Sequence, residues 1–276
     1  MNFIHKTPAP CLPIDLSIVR QQVKQDIQDD DVMLSAYLAS AVDYAQNLCQ
    51  KQFVSAKFSL KLAGFASGAI KIPHGPMVAV QSITYYDTTG ALQTLSSSLY
   101  TLDFSGHFAR ISLAPSASWP ATQIRDDAVE IQYIAGYVAA ASYNATTNTI
   151  SLSNWPDLAV GAALVLSNSG GSLPTGLTEK TQYYVQSVVS PGVYTLATSI
   201  GGVMIDLTNT GSGLQFAGQL GINLSDGTMP AAIIAWLLLR TATAYEHRAE
   251  NVAVATGQFQ PLPYVDRLLD SHRLWM

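Results

Sequence analysis

The stretch Met229–Glu250, MPAAIIAWLLLRTATAYEHRAE, decides how the rest of the chain is read. Its spacing predicts a helix. Pro230 suits a first helical turn, where its missing N–H costs nothing. Ala, Leu and Ile fill the following turns with strong helix formers. Ile233, Ile234, Leu237, Leu238, Thr241, Ala244 and Tyr245 recur at three- and four-residue steps and so share one face. Trp236 and Leu239 lie partly off that face, which widens the apolar stripe. A stripe this wide implies burial on more than one side, either within this chain or against a neighbouring subunit. A plain core helix explains the stretch equally well. The apolar run stops at Arg240, too short to cross a bilayer.

Working back toward the N-terminus, a second helix is expected from about residue 31 to 50. Leu34, Leu38, Ala41, Ala45 and Leu48 form a narrow seam at 4-3-4-3 spacing. The small Ala41 and Ala45 let another helix approach closely, and the late helix is the expected partner. Asp29-Asp30-Asp31 precede it. Their spacing is wrong for a calcium loop, which spreads its ligands over about twelve residues; as helix-start residues they cap free N–H groups and favour the positive end of the dipole. Asp15 is placed to cap a shorter helix to about residue 24, with Leu16, Val19 and Val23 on one face. Residues 1–13, with Pro8, Pro10 and Pro13, read as an extended arm that orders only on a partner.

Between the helices the period changes to two. Phe58, Leu60 and Leu62 alternate with Lys57, Ser59 and Lys61. Val78–Tyr86 is a β-branched and aromatic run, followed by Asp87-Thr88-Thr89-Gly90 as a hairpin turn. Tyr100–Phe104 and Ala109–Leu113 form a second hairpin around Ser105-Gly106, and Val129–Tyr133 a last strand. From about 139 to 227 the composition shifts to Thr, Ser, Gly and Val, with short strands expected at 149–152, 162–167, 182–188, 193–197, 203–206 and 214–217. Regular short strands with Gly turns indicate a small sandwich or barrel, inserted into a loop of the host. The fold class is therefore α+β. Helices near 15–24, 31–50 and 230–250 form a core, an antiparallel sheet spans 54–137, and the all-β insertion occupies 139–227. Residues 1–138 plus 228–276 make one discontinuous domain.

The 276 residues suffice for one large domain or two small ones. Hydrophobic residues make up 48% and charged ones 12%, the latter about half of the usual ~25%. A chain this poor in charge often hides surface in an assembly. Lys+Arg 14 against Asp+Glu 19 gives a net charge of −5, and no basic cluster marks nucleic-acid binding. The proline-broken N-terminus has no secretory signal pattern. Cys11 and Cys49 make neither a disulfide framework nor a zinc site, which fits a reducing cytoplasm.

No catalytic pattern emerges. In Gly64-Phe65-Ala66-Ser67-Gly68 the serine falls one place too late for a nucleophile elbow. There is no phosphate loop or dinucleotide fingerprint, and the five histidines are scattered without metal-ligand spacing. Glu246-His247-Arg248-Glu250 reads as a solvated or interface helix end. No cofactor or metal is expected, and the chain reads as a non-enzyme.

The order of several weak motifs carries more. Ile14-Asp15-Leu16, then Gln28-Asp29-Asp30-Asp31 before a helix ending Tyr44-Ala45-Gln46-Asn47-Leu48, then Gln52-Phe53, resembles the start of small head-to-tail connector (adaptor) proteins of tailed bacteriophages. Ile83-Thr84-Tyr85-Tyr86-Asp87 with Gly90, Arg110-Ile111-Ser112-Leu113, Ser118-Trp119-Pro120 and Ile131-Gln132-Tyr133-Ile134-Ala135-Gly136-Tyr137 are similar too. So are Met229-Pro230, Tyr245-Glu246-His247-Arg248, Leu262-Pro263 and Leu268-Leu269. The likeness covers roughly 14–138 and 228–276; the insertion departs from it.

The resemblance implies a virion structural protein at the head–tail interface, made in the host cytoplasm. Such proteins form a homo-oligomeric ring, typically of twelve copies, under the portal. They extend the DNA channel and present a platform for a neck, stopper or tail-completion protein, with DNA passing without specific binding and no membrane involved. It implies subunit and portal contacts through the helical part, for which Leu34, Leu38, Ala41, Trp236, Leu239, Tyr245, Arg248, Arg267, Arg273 and Trp275 are the candidates. The alternative is a tail- or host-surface-binding module that uses the insertion, through Tyr183 and Tyr184.

Overall fold

The computed structural model describes residues 2–26, 28–104, 108–219, 228–247, 265 and 267–273. In chain order the elements are β1 (Asn2–Thr7), α1 (Leu16–Val23), α2 (Asp31–Cys49), β2 (Ala56–Leu62), β3 (Ile70–Ile72), β4 (Met77–Tyr86), β5 (Leu92–Thr94), β6 (Tyr100–Asp103), β7 (Ala109–Leu113), β8 (Val129–Ala135), β9 (Ala139–Asn144), β10 (Thr149–Ser153), β11 (Ala163–Ser172), β12 (Gln182–Ser190), β13 (Val193–Ala197), β14 (Ser212–Gln219) and α3 (Ala231–Glu246). The class is α+β, as the periodicity predicts.

The three helices form a layer whose core joins Val19, Leu34, Leu38, Ala41, Ala45, Ile233, Trp236 and Leu237. The Ala41–Ala45 seam meets α3 as expected, because two methyl side chains leave room for the large indole. Asp15 caps α1, its carboxylate accepting from Ser17 N at 2.8 Å. At α2 the acidic run acts differently from the expected capping. Asp30 is the N-cap residue but its side chain makes no cap hydrogen bond. It accepts instead from the Tyr245 hydroxyl of α3, which itself accepts from Gln25 Nε2. Asp31 is held by Arg20 of α1, Nη1 to Oδ2 at 2.6 Å. The carboxylates thus tie the three helices together.

A five-stranded antiparallel sheet runs in the order β1-β2-β8-β4-β5, and a three-stranded sheet in the order β3-β7-β6. Both feed one core. Ile70, Ile72 and Ile111 from the small sheet pack with Phe58, Leu60, Ile83 and Ile131 from the large one. The arm expected at 1–13 is corrected here: Asn2–Thr7 is an edge strand paired with Lys57–Lys61, so the backbone groups on its inner side are satisfied within the chain. The Asp87 turn is as expected, with Gly90 N donating to Asp87 O at 2.9 Å. Residues 105–107 of the second hairpin lie outside the described residues.

Between these parts and α3 sits a closed six-stranded barrel, β10-β13-β12-β11-β14-β9. Closure leaves no free edge, the problem that an open sandwich would carry. Two strand expectations are corrected. Residues 203–206 make only a single bridge, Ala197 to Met204, because Gly201-Gly202 reverses the chain too tightly for a ladder. Ala139–Asn144, which lacks a β-branched signal, is the strand β9 that closes the barrel against β14 and β10. The chain crosses from sheet to barrel at Gly136, φ +152°, where an added Cβ would lie 2.5 Å from Ser55 Cα; only glycine fits so close an approach at that backbone angle.

Candidate assembly surfaces

Five of the ten helical interface candidates, Leu34, Leu38, Ala41, Trp236 and Tyr245, make contacts within the chain. Leu34 and Leu38 are 0% exposed and Trp236 2%. With Ala41 they pack α2 on α3, which corrects their reading as contacts offered to a neighbour. Periodicity reports that a face is buried and is silent on what buries it. Tyr245 is half-buried and engaged with Asp30 and Gln25. Leu239 is half-buried, Arg267 exposed and Arg273 half-buried, the last close enough to lower the Cys49 pKa electrostatically. Arg248 and Trp275 lie outside the described residues.

What the helices leave outward is a groove of about 290 Å³ between α2 and α3, walled by Tyr37, Ser40, Tyr44, Arg240, Thr243 and His247. Tyr44, 57% exposed, stacks on Trp236 with ring centres 5.9 Å apart and planes within 9°. One face of the buried indole is therefore covered by an aromatic ring that is itself exposed.

A second concavity of about 310 Å³ lies where α1, α3 and the barrel meet. Its walls are apolar, from Pro13, Ile14, Ile18, Val138, Phe216, Met229 and Ile234, with Ser167, Asn168, Glu179 and Lys180 at its polar parts. The barrel is fixed there by Asp15 N donating to Ser169 Oγ at 2.9 Å. Gly170, φ +76°, lies so near that a Cβ would meet Asp15 Cβ at 2.5 Å. The barrel also contributes Phe216 to the helical core, while Val78 and Ile134 of the large sheet join the barrel core.

The insertion candidates divide. Tyr183 is 3% exposed inside the barrel, and its hydroxyl accepts from Thr178 N at 2.8 Å; it is a core residue, which corrects its reading as a binding residue. Tyr184 is half-buried, with its hydroxyl accepting from Gln182 Nε2 at 2.7 Å. The surface that sequence reasoning missed is aliphatic. Val160, Ile200, Val203 and Met204 are 61%, 71%, 90% and 40% exposed. Their signal was present in the sequence: aliphatic residues flank Gly201-Gly202 in a loop, within a stretch whose only charges over 139–219 are Asp157, Glu179, Lys180 and Asp206.

Burial pushes both the Cys11 and the Cys49 thiols up to about 11, so each stays protonated and unreactive at neutral pH. Among the described residues no group of three His, Cys, Asp or Glu side chains could hold a metal. Among them, too, no helix is long and apolar enough to cross a membrane.

Residues 13–112 match the model of the Phage gp6-like head-tail connector protein family. The resemblance read from the motif order is thereby borne out over that stretch, which holds α1, α2 and the sheets up to β7. No curated protein matches the chain. Solved structures similar to the whole chain carry the fold further. A chain of the neck of an empty GTA particle, computed with C6 symmetry, aligns at TM-score 0.56 and 15% identity, covering 100% of this chain and 97% of that one. A chain of the native gene transfer agent (GTA) virion aligns at 0.56 and 14%, with the same coverage. One from the native GTA neck, computed with C12 symmetry, aligns at 0.53 and 14%, again covering 100% and 97%. The fold is thus shared over the full length.

Proposed function

We propose that the protein is a structural component of a virion neck: a head-tail connector that assembles as a ring beneath the portal, extends the DNA channel and receives the next neck or tail protein. The observation that carries this reading is the connector family match at 13–112. Full-length likeness to chains of neck particles solved with cyclic symmetry supports it. The physics agrees. With 12% charged residues and exposed aliphatic side chains on the barrel, the surface suits repeated protein contacts better than isolation in water. A net charge of −5 suits a channel wall past which DNA slides, because tight phosphate contacts would hold it. In this reading residues 139–227 form an inserted unit mounted on the connector host.

Electron microscopy of the purified chain, alone and with its cognate portal, tests the reading. The expected image is a ring coaxial with the portal. A chain that stays monomeric and leaves the portal bare in both samples would overturn it. The alternative of a tail- or host-binding module loses its aromatic candidate Tyr183 to the barrel core.

A further inference from the structure

We propose that the loop 199–204 of one copy docks into the cleft between α1, α3 and the barrel of the next copy, as the knob and hole of a head-to-tail contact. This rests on the ring reading above. The knob is Ile200 and Val203, 71% and 90% exposed, with Met204 at 40%. It is anchored rather than loose: Ile205 N donates to Leu196 O at 2.8 Å and Gly202 N to Ser199 O at 3.0 Å, and Ile200 Cγ2 would lie 3.7 Å from a Cβ on Gly161. A fixed loop loses little freedom on binding, so its apolar side chains are well placed to gain from burial.

The hole is built for the same chemistry. Its walls are Ile14, Ile18, Val138, Phe216, Met229 and Ile234. Its volume is about 310 Å³, with Ser167, Asn168, Glu179 and Lys180 completing the lining on its polar parts. Two or three aliphatic side chains suit the apolar part of such a volume, and Glu179 and Lys180 of its lining are exposed.

The second copy is the occupant because of symmetry. A contact that repeats around a rotation axis joins two different patches of one chain, so both halves must be present on every copy. Here both are, and neither is self-complementary: the knob is convex and the cleft concave. Similar full-length chains occur in necks solved with C6 and C12 symmetry.

The test uses two single variants of the full chain, Val203→Cys and Ser167→Cys, the second at the cleft wall. They are mixed in equal amounts, assembled with the portal and oxidised. The expected result is a disulfide-linked pair at twice the chain mass in the mixture, reduced at least tenfold in either variant alone. In parallel, Ile200→Asp/Val203→Asp should remove rings from micrographs while the circular dichroism and Tm of the free chain stay as in the parent. Rings that form normally with the double Asp variant, or a mixture without the linked pair, would overturn the knob-and-hole contact and leave the connector reading intact. Absence of rings in the parent chain with the portal would overturn both.

Discussion

The helical layer and the barrel bury their apolar surface in opposite ways. The helices reach across the whole chain for partners: the Tyr245 hydroxyl on α3 bonds Asp30 at a sequence separation of 215, and Leu38 on α2 packs in one cluster with Ile233 and Trp236. Three of the six barrel pairings, β9–β10, β11–β12 and β12–β13, join strands that follow one another along the chain, and the ladder ends on itself. The helices spend their largest side chains inward. The barrel, saturated by its own closure, leaves Ile200 and Val203 outside. The exposed aliphatic surface is therefore found where periodicity is weakest, in a glycine loop, and the strongest periodic face is already covered.

The largest expected effect sharpens that contrast. Leu38→Ala empties a fully buried site and should cost about 2–5 kcal/mol, whereas Val203→Ala, at a site 90% exposed, should stay within about 0.5 kcal/mol. Urea unfolding of both variants measures this; equal midpoints would break the comparison. The seam between the two regions comes next. Gly136→Ala adds a Cβ 2.5 Å from Ser55 Cα at φ +152° and should destabilise by more than ~1 kcal/mol. Gly68→Ala, with nothing within 4 Å of the new carbon, is the control, expected within about 0.5 kcal/mol. A thermal shift no larger at 136 than at 68 would remove the argument for a tight crossover.

A smaller effect belongs to the helical layer alone. The Arg20–Asp31 pair is partly shielded, with side chains 19% and 27% exposed, and its Nη1 reaches both carboxylate oxygens, at 2.8 and 2.6 Å. A double-mutant cycle through Arg20→Gln and Asp31→Asn should give about 1 kcal/mol of coupling; zero coupling would reduce the pair to decoration. The smallest effect lies outside both regions, in the β4–β5 turn. Hydrogen bonds from Thr89, Gln93 and Ala91 hold Asp87 below its usual 3.8, at about 2. A depressed carboxylate stabilises the fold above its unfolded value and loses that contribution as pH falls through the folded one. Asp87→Asn should therefore lessen the loss of stability between pH 4 and pH 2. Unchanged acid unfolding in that window would show that the turn bonds do not hold the carboxylate.

Much of this was legible in the chain itself. Pro230, the Asp15 cap and the Ala41–Ala45 seam placed the helices, and the period-two runs around Phe58 and Ile131 placed the sheet, because each signal is local. Pairing over distance was not legible. Nothing within Asn2–Thr7 names Lys57–Lys61 as its partner, and prolines that follow the strand made it look like an arm. Closure of the barrel depends on Ala139–Asn144, whose alanines carry little strand preference. Three of the assembly candidates show the same limit: Leu34, Leu38 and Trp236 announce burial, and the molecule chooses the partner.

The long reach of Tyr245 to Asp30 also sets an order of events during synthesis. The 215 residues between them take roughly 10–40 s to emerge at ~5–20 residues per second. Through that interval α2 waits beside the ribosome with its leucine face uncovered, while the barrel can close from its own hairpins. The chain thus finishes its appendage before its foundation, and the nascent helix is the part that a chaperone would have to guard.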